Sequence, residues 1–196
     1  MNHFKKIASV LETHSLDAVL LTCEANRFYA SGFHSSGTDG VAIVTRNHNY
    51  YFTDSRYTEA AARHVRDAEI RETGREHPYS ALINEVIEKE HITRMGYEDE
   101  YMTAADFRRF SEKLHCELVP ATELLWTLRA VKDQAELECM IQAQRIAEKA
   151  LADGALAVVV QRDLGLEHQI LVESTRHAWA MMCANWFGWP SRQLHL

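Results

Sequence analysis

The chain has 196 residues, 46% hydrophobic and 25% charged, the balance of an ordinary globular protein with length for one domain or two small ones. A net charge of -7 and a pI near 5.9 leave no basic excess to displace counterions from phosphate, which argues against nucleic acid or an anionic membrane surface as partner. Cys23, Cys116, Cys139 and Cys183 are far apart and show no metal-type spacing, so idle thiols in a reducing, cytoplasmic compartment are expected.

The first fifteen residues place Phe4, Ile7, Val10 and Leu11 at helical spacing with Lys5, Lys6 and Glu12 opposite, and their apolar runs are too short for a signal peptide or membrane span. Leu16 to Thr22 is almost continuously apolar and predicts a strand buried on both faces. Glu24 to Ser31 predicts a short helix stopped by Gly32. A Gly/Ser loop, Phe33 to Gly40, leads into a hairpin with strands Val41–Thr45 and Tyr50–Thr53, since β-branched and aromatic residues fit the pleat and Asn tolerates the turn. Thr58 to Val65 predicts a helix, and 68–71 a short strand. Pro78 then opens a helix over 79–90 with a stripe of Leu82, Ile83, Val86 and Ile87. Arg94 to Glu98 is a short strand, Thr103 caps a helix over 104–114, and Cys116 to Val119 is another strand. Alternation of this kind implies an α/β layer, a mixed sheet covered by helices.

A long helix follows, opened by a capping box of Asp133 and Glu136 and carrying Leu137, Met140, Ile141, Ala147 and Leu151, with Gly154 placed to end it. Beyond it the pattern weakens to an apolar run, 155–160, and a candidate helix over 171–184.

Chemistry is concentrated in two places. The loop sets His34, Ser35, Ser36, Thr38 and Asp39 among glycines that let backbone come close to a ligand or neighbouring chain. After the hairpin stand Asp54, Arg56 and Tyr57, for which capping of the next helix by Asp54 and local pairing by Arg56 are the favoured roles. Eleven histidines call for a search for metal sites, yet HExxH, GxSxG, GxGxxG and the P-loop pattern are all missing. Glu173 and His177 are four apart and suit one helix face, but two ligands without a third are more often surface coincidence.

Taken in order, LDAVLLT, ANRFYASGF with its loop, YYFTDSRYTEAA, MGYEDEYMT and LRAVKDQAELECMIQAQRIAEKAL resemble the amino-terminal half of the creatinase/prolidase family, most of all the bacterial Xaa-Pro aminopeptidases and dipeptidases. The resemblance implies a creatinase-type α/β domain over 1–130, the first helix of a "pita-bread" catalytic domain over 131–153, and an atypical tail over 154–196. It also implies a homodimer in which the loop bearing His34, Ser35, Ser36, Thr38 and Asp39 reaches the partner's active site and helps shape a pocket for proline-containing peptides, while Asp54, Arg56 and Tyr57 are architectural.

Complete members of that family bind two divalent metal ions, typically Mn, Co or Zn, through two Asp, one His and two Glu, and hydrolyse the bond before proline. After Asp153 this sequence offers one Asp, Asp163, so no ligand carries over; a truncation or frame change near Gly154 is the expected cause. The expected function is therefore that of a dimerising, pocket-shaping domain without hydrolysis of its own, with an exposed stripe at Leu137, Met140, Ile141 and Leu151 that favours association. Two alternatives stand beside it. One is a chain that still cleaves Xaa-Pro peptides with metals on Asp163, His168, Glu173 and His177; the other is a non-catalytic peptide- or protein-binding module of the same fold.

Overall fold

Four consecutive buried residues, Ala18–Leu21, form strand β1, and the sheet grows outward from them. The computed structural model describes residues 2–35, 39–152, 158–163, 165 and 169–186, and the chain divides into two units, Met1–Lys132 and Asp133–Leu196.

In the first unit, β2 (Val41–Thr45) pairs antiparallel with β1, placing Leu20 opposite Ile43, and β3 (Asn49–Thr53) completes the hairpin with Ile43 opposite Tyr50. β4 (Glu69–Glu72) runs parallel to β3, β5 (Arg94–Tyr97) parallel to β1, and β6 (Glu117–Pro120) parallel to β5. The order is β4-β3-β2-β1-β5-β6, a mixed six-stranded sheet in which only β2 opposes the rest.

Because side chains alternate across a pleated strand, each buried strand feeds two cores. Val19, Leu21, Ala42, Val44 and Tyr51 meet α1 (Phe4–Leu11), α2 (Glu24–Ser31), α3 (Thr58–His64) and α6 (Thr122–Ala130), through Phe4, Ile7, Leu11, Tyr29, Ala30, Ala61, Leu124 and Leu125. On the other face Ala18, Leu20, Ile43, Tyr50, Phe52 and Met95 meet α4 (Tyr79–Lys89) and α5 (Ala104–Lys113), through the expected stripe Leu82, Ile83, Val86 and Ile87 together with Phe110. The expected α/β layer is thus a sheet between two helical layers. Gly32 ends α2 at φ 69°, its N–H donating to the Phe28 carbonyl at 2.7 Å, and the Thr103 hydroxyl accepts from the Asp106 amide at the start of α5. Helix α6 is the element that hydrophobic periodicity passes over. Its Leu124 and Leu125 lie side by side in sequence next to Pro120, and packing rather than spacing fixes it.

The second unit opens with α7 (Gln134–Ala152) behind the reciprocal capping box: Asp133 N–H donates to Glu136 Oε2 and Glu136 N–H to Asp133 Oδ1, both at 2.9 Å. Leu137, Met140 and Ile141 are exposed on it; the Leu151 side chain lies outside the described residues. β7 (Val158–Val160) pairs parallel with β8 (Gln169–Leu171), and α8 (Thr175–Trp186) follows. The helix predicted from 171 starts later because Leu171 is taken up in the strand pair and the Ser174 hydroxyl accepts from the His177 amide.

Candidate functional site

With five strands running one way, their carboxyl ends share one edge with the start of β2, and most of the polar residues singled out in the sequence sit along that edge. Asp39, Asp54, Arg56 and Tyr57 are drawn together there. Arg56 Nη2 donates to Asp39 Oδ1 at 2.8 Å and to Asp54 Oδ2 at 2.6 Å, while Arg56 Nε reaches Asp54 Oδ1 at 2.9 Å. The Tyr57 hydroxyl lies 3.4 Å from Asp39 Oδ2, and the Thr53 hydroxyl donates to the Asp39 carbonyl. Hydrogen bonds from Arg56 hold the Asp54 carboxyl below the usual carboxylate range, and the two carboxylates push the guanidinium up in return. The Asp54 side chain does not cap α3, whose N-cap residue is Tyr57 without a side-chain bond. It turns back to Arg56 instead, which offers it the backbone amide as well as two N–H groups of the guanidinium fork.

The loop residues part company. Ser35 is buried, its hydroxyl 2.7 Å from that of Tyr51. His34 is exposed and meets Glu24 at 3.2 Å. Ser36 and Thr38 lie outside the described residues. Gly40 closes the loop where a Cβ would stand 3.0 Å from the Tyr51 hydroxyl and 3.2 Å from Ser35 Oγ, so only glycine allows this approach without displacement.

Two buried charges beneath the edge escaped sequence reasoning. Arg27 is 1% exposed and donates from Nη1 to the carbonyls of Thr22 and Gly40 and from Nη2 to that of Ser35. Glu98 is fully buried and accepts from the amides of Thr22 and Cys23, the Thr22 hydroxyl and Asn26 Nδ2, at 2.6–2.9 Å. Asn26 Oδ1 in turn accepts from Arg129 Nη1. The signal was the composition of α2, which has Asn26, Arg27 and Ser31 on one face; that polar face is the buried one, whereas Phe28 is 48% exposed. Tyr79 stands nearby, its hydroxyl pushed up to about 12 by burial and by the Asp54 and Asp39 charges.

In the second unit Glu173 precedes α8 and His177 lies in its first turn, so the shared helical face expected from their spacing is not formed. The Asp163 carboxylate accepts from the Gly165 amide and from Gln169 Nε2, and His168 lies outside the described residues. Among the described residues Asp163, Glu173 and His177 do not converge on a common point, so they do not fit a two-metal centre.

A family model described as the Creatinase/Prolidase N-terminal domain matches residues 4–131. The chain is 31% identical over 150 residues to the "Uncharacterized peptidase YqhT" of Bacillus subtilis (strain 168), an alignment that takes in 74% of this chain and 40% of that protein, well under half of its length. Among solved structures it is similar to the X-Pro aminopeptidase from Thermotoga maritima MSB8, with 25% identity, a TM-score of 0.69, and coverage of 78% of this chain and 43% of that one. The N-terminal domain of the cytoplasmic peptidase PepQ from Mycobacterium tuberculosis H37Rv shares the fold, with 24% identity, a TM-score of 0.55, and coverage of 64% and 97%.

Proposed function

The chain belongs to the creatinase/prolidase family, whose amino-terminal domain it carries over residues 4–131, and on that premise we propose that it serves a Xaa-Pro metallopeptidase as the domain that pairs subunits and shapes the substrate pocket. The observation that carries this reading is the bracing of the polar loop at both ends. Arg27 holds the Ser35 and Gly40 carbonyls from beneath, and Arg56 holds Asp39 from the side, so that both ends of the loop are anchored. Anchored loop ends suit contact with a neighbouring subunit, because they have less conformational entropy to lose on association. In this reading hydrolysis, and the two divalent ions that support it, belong to catalytic residues other than those described here. The free thiols of Cys23, Cys116, Cys139 and Cys183 support a cytoplasmic setting. Among the described residues no helix is long and apolar enough to cross a membrane.

Sedimentation velocity over a wide concentration range tests the pairing role. A reversible dimer is expected, weakened by Thr38→Arg; a monomer at every concentration, or a dimer indifferent to the loop, overturns it. Assay on a Xaa-Pro dipeptide with added manganese or cobalt is expected to release no proline, and turnover abolished by a chelator would show hydrolysis by this chain itself.

A further inference from the structure

The same edge of the sheet holds a cavity that the loop does not account for. Helix α2 leaves β1 toward one face while α5 leaves the neighbouring parallel strand β5 toward the other. Parallel neighbours that part in this way open a crevice at their carboxyl ends, the usual ligand position of such sheets. Here the crevice measures about 680 Å³, within the range of roughly 300–1,000 Å³ common to small-molecule sites. Val41, Tyr101, Met102 and Phe110 give it an apolar wall.

Its charged groups mostly satisfy one another. Glu24 meets His34, and Asp106 takes both the Arg109 guanidinium and the Thr103 hydroxyl. Lys113, Tyr79 and Ser80 also line the cavity, and neither the Lys113 ammonium nor the two hydroxyls has a hydrogen bond or ion pair among the described residues. Asn84, one helical turn after Ser80, donates from Nδ2 to the Lys113 carbonyl at 2.8 Å, so the turn bearing Ser80 is tied close to the end of α5 that bears Lys113. With its hydroxyl pushed up to about 12, Tyr79 stays protonated at neutral pH and acts as a donor. One unmatched cation, two hydroxyl donors and an apolar wall lining one cavity suit a ligand with a single anionic head and a hydrophobic body.

We propose that this crevice binds the C-terminal residue of a short peptide, with the carboxylate on Lys113 and Ser80, the preceding peptide carbonyl on Tyr79, and a hydrophobic side chain against Val41, Met102 and Phe110. The proposal is independent of subunit pairing and of hydrolysis, neither of which its test reads.

Titration calorimetry of the whole chain with an acetylated tripeptide ending in leucine, and with the same peptide amidated at its C-terminus, provides that test. Saturable one-to-one binding is expected for the acid, with the amide weaker by about tenfold, in line with the greater strength of charge-assisted hydrogen bonds. Lys113→Gln is expected to bring the acid down to the level of the amide, while Lys113→Arg retains most of the affinity. Lys113 is exposed, so neither change disturbs the core, and unchanged thermal unfolding of both variants checks this. Equal binding of acid and amide, indifference to Lys113→Gln, or absence of saturation each overturns the proposal. Binding of N-acetylleucine as tight as that of the tripeptide would assign the site to a free acylated amino acid and overturn the peptide.

Discussion

Arg27 Nη1 donates to the Gly40 carbonyl at 2.6 Å, so a buried guanidinium on α2 holds the far end of a loop thirteen positions away in sequence. The same nitrogen takes the Thr22 carbonyl, and Nη2 takes that of Ser35. Burial of such a cation is tolerated only where carbonyls replace its water. Arg27→Met removes the donors and leaves three carbonyls to find partners. The expected loss is about 2–4 kcal/mol in urea unfolding, together with faster amide exchange through the loop. Stability within about 0.5 kcal/mol of the parent would deny the clamp.

Glu98 does for the start of α2 what a capping side chain does for other helices, but from a strand end 75 residues away from Cys23. Glu98→Ala strands two amides, one hydroxyl and the Asn26 side chain, and about 3 kcal/mol of lost stability is expected. Glu98→Gln keeps the shape and part of the bonding, and a smaller loss, about 1–2 kcal/mol, is expected. Denaturant midpoints of the two variants measured side by side decide whether charge or shape matters more.

Gly96 sits in β5 where a Cβ would lie 2.8 Å from both Ala121 Cβ and Val19 Cγ2. Both neighbours belong to packed layers, so Gly96→Ala is expected to cost about 1–3 kcal/mol by overpacking. Gly74, with nothing within 4 Å of an added Cβ, is the matched control, and Gly74→Ala is expected to change the midpoint little. Equal effects of the two would rule out the close approach of α6 to β5.

Asp17 ties the entry of β1 to that of β5. Burial works against its ionised form, yet donors from the Arg94 and Thr93 amides, the Thr93 hydroxyl and the Arg46 charge together lower its pKa below the ordinary value. A carboxylate whose folded-state pKa is depressed contributes stability above its unfolded-state pKa, near 4, and loses that contribution as the pH falls through the lower folded-state value. Asp17→Asn is therefore expected to lower stability at pH 7 and to flatten the acid limb of the stability profile below about pH 4. Parallel acid limbs in parent and variant would exclude this linkage.

Arg56 is largely exposed, so its two ion pairs are worth little to global stability. Arg56→Gln is expected to leave the denaturant midpoint close to that of the parent. The effect should be local, seen as faster exchange of amides around Asp39 with the core unchanged, and salt should produce a weaker version of it in the parent chain. A large shift of the global unfolding midpoint would give Arg56 a role in the core.

The sequence alone determined where many of the elements begin and end, because these signals are local. Gly32 stops α2, Thr103 starts α5, Asp133 and Glu136 start α7, and alternating β-branched and aromatic residues make the hairpin. The motifs around LDAVLLT, FTDSRY and LRAVKD were likewise enough to suggest the family. Tertiary structure alone decided that Phe28 faces water and Arg27 the interior, that Leu124 and Leu125 are buried residues of a helix, and that Glu173 stands off the helix bearing His177. Pairings such as Glu98 with Cys23 and Arg56 with Asp39 join distant stretches of chain. The free energy of burying a charge depends on what the fold brings to it, which no spacing along the chain encodes.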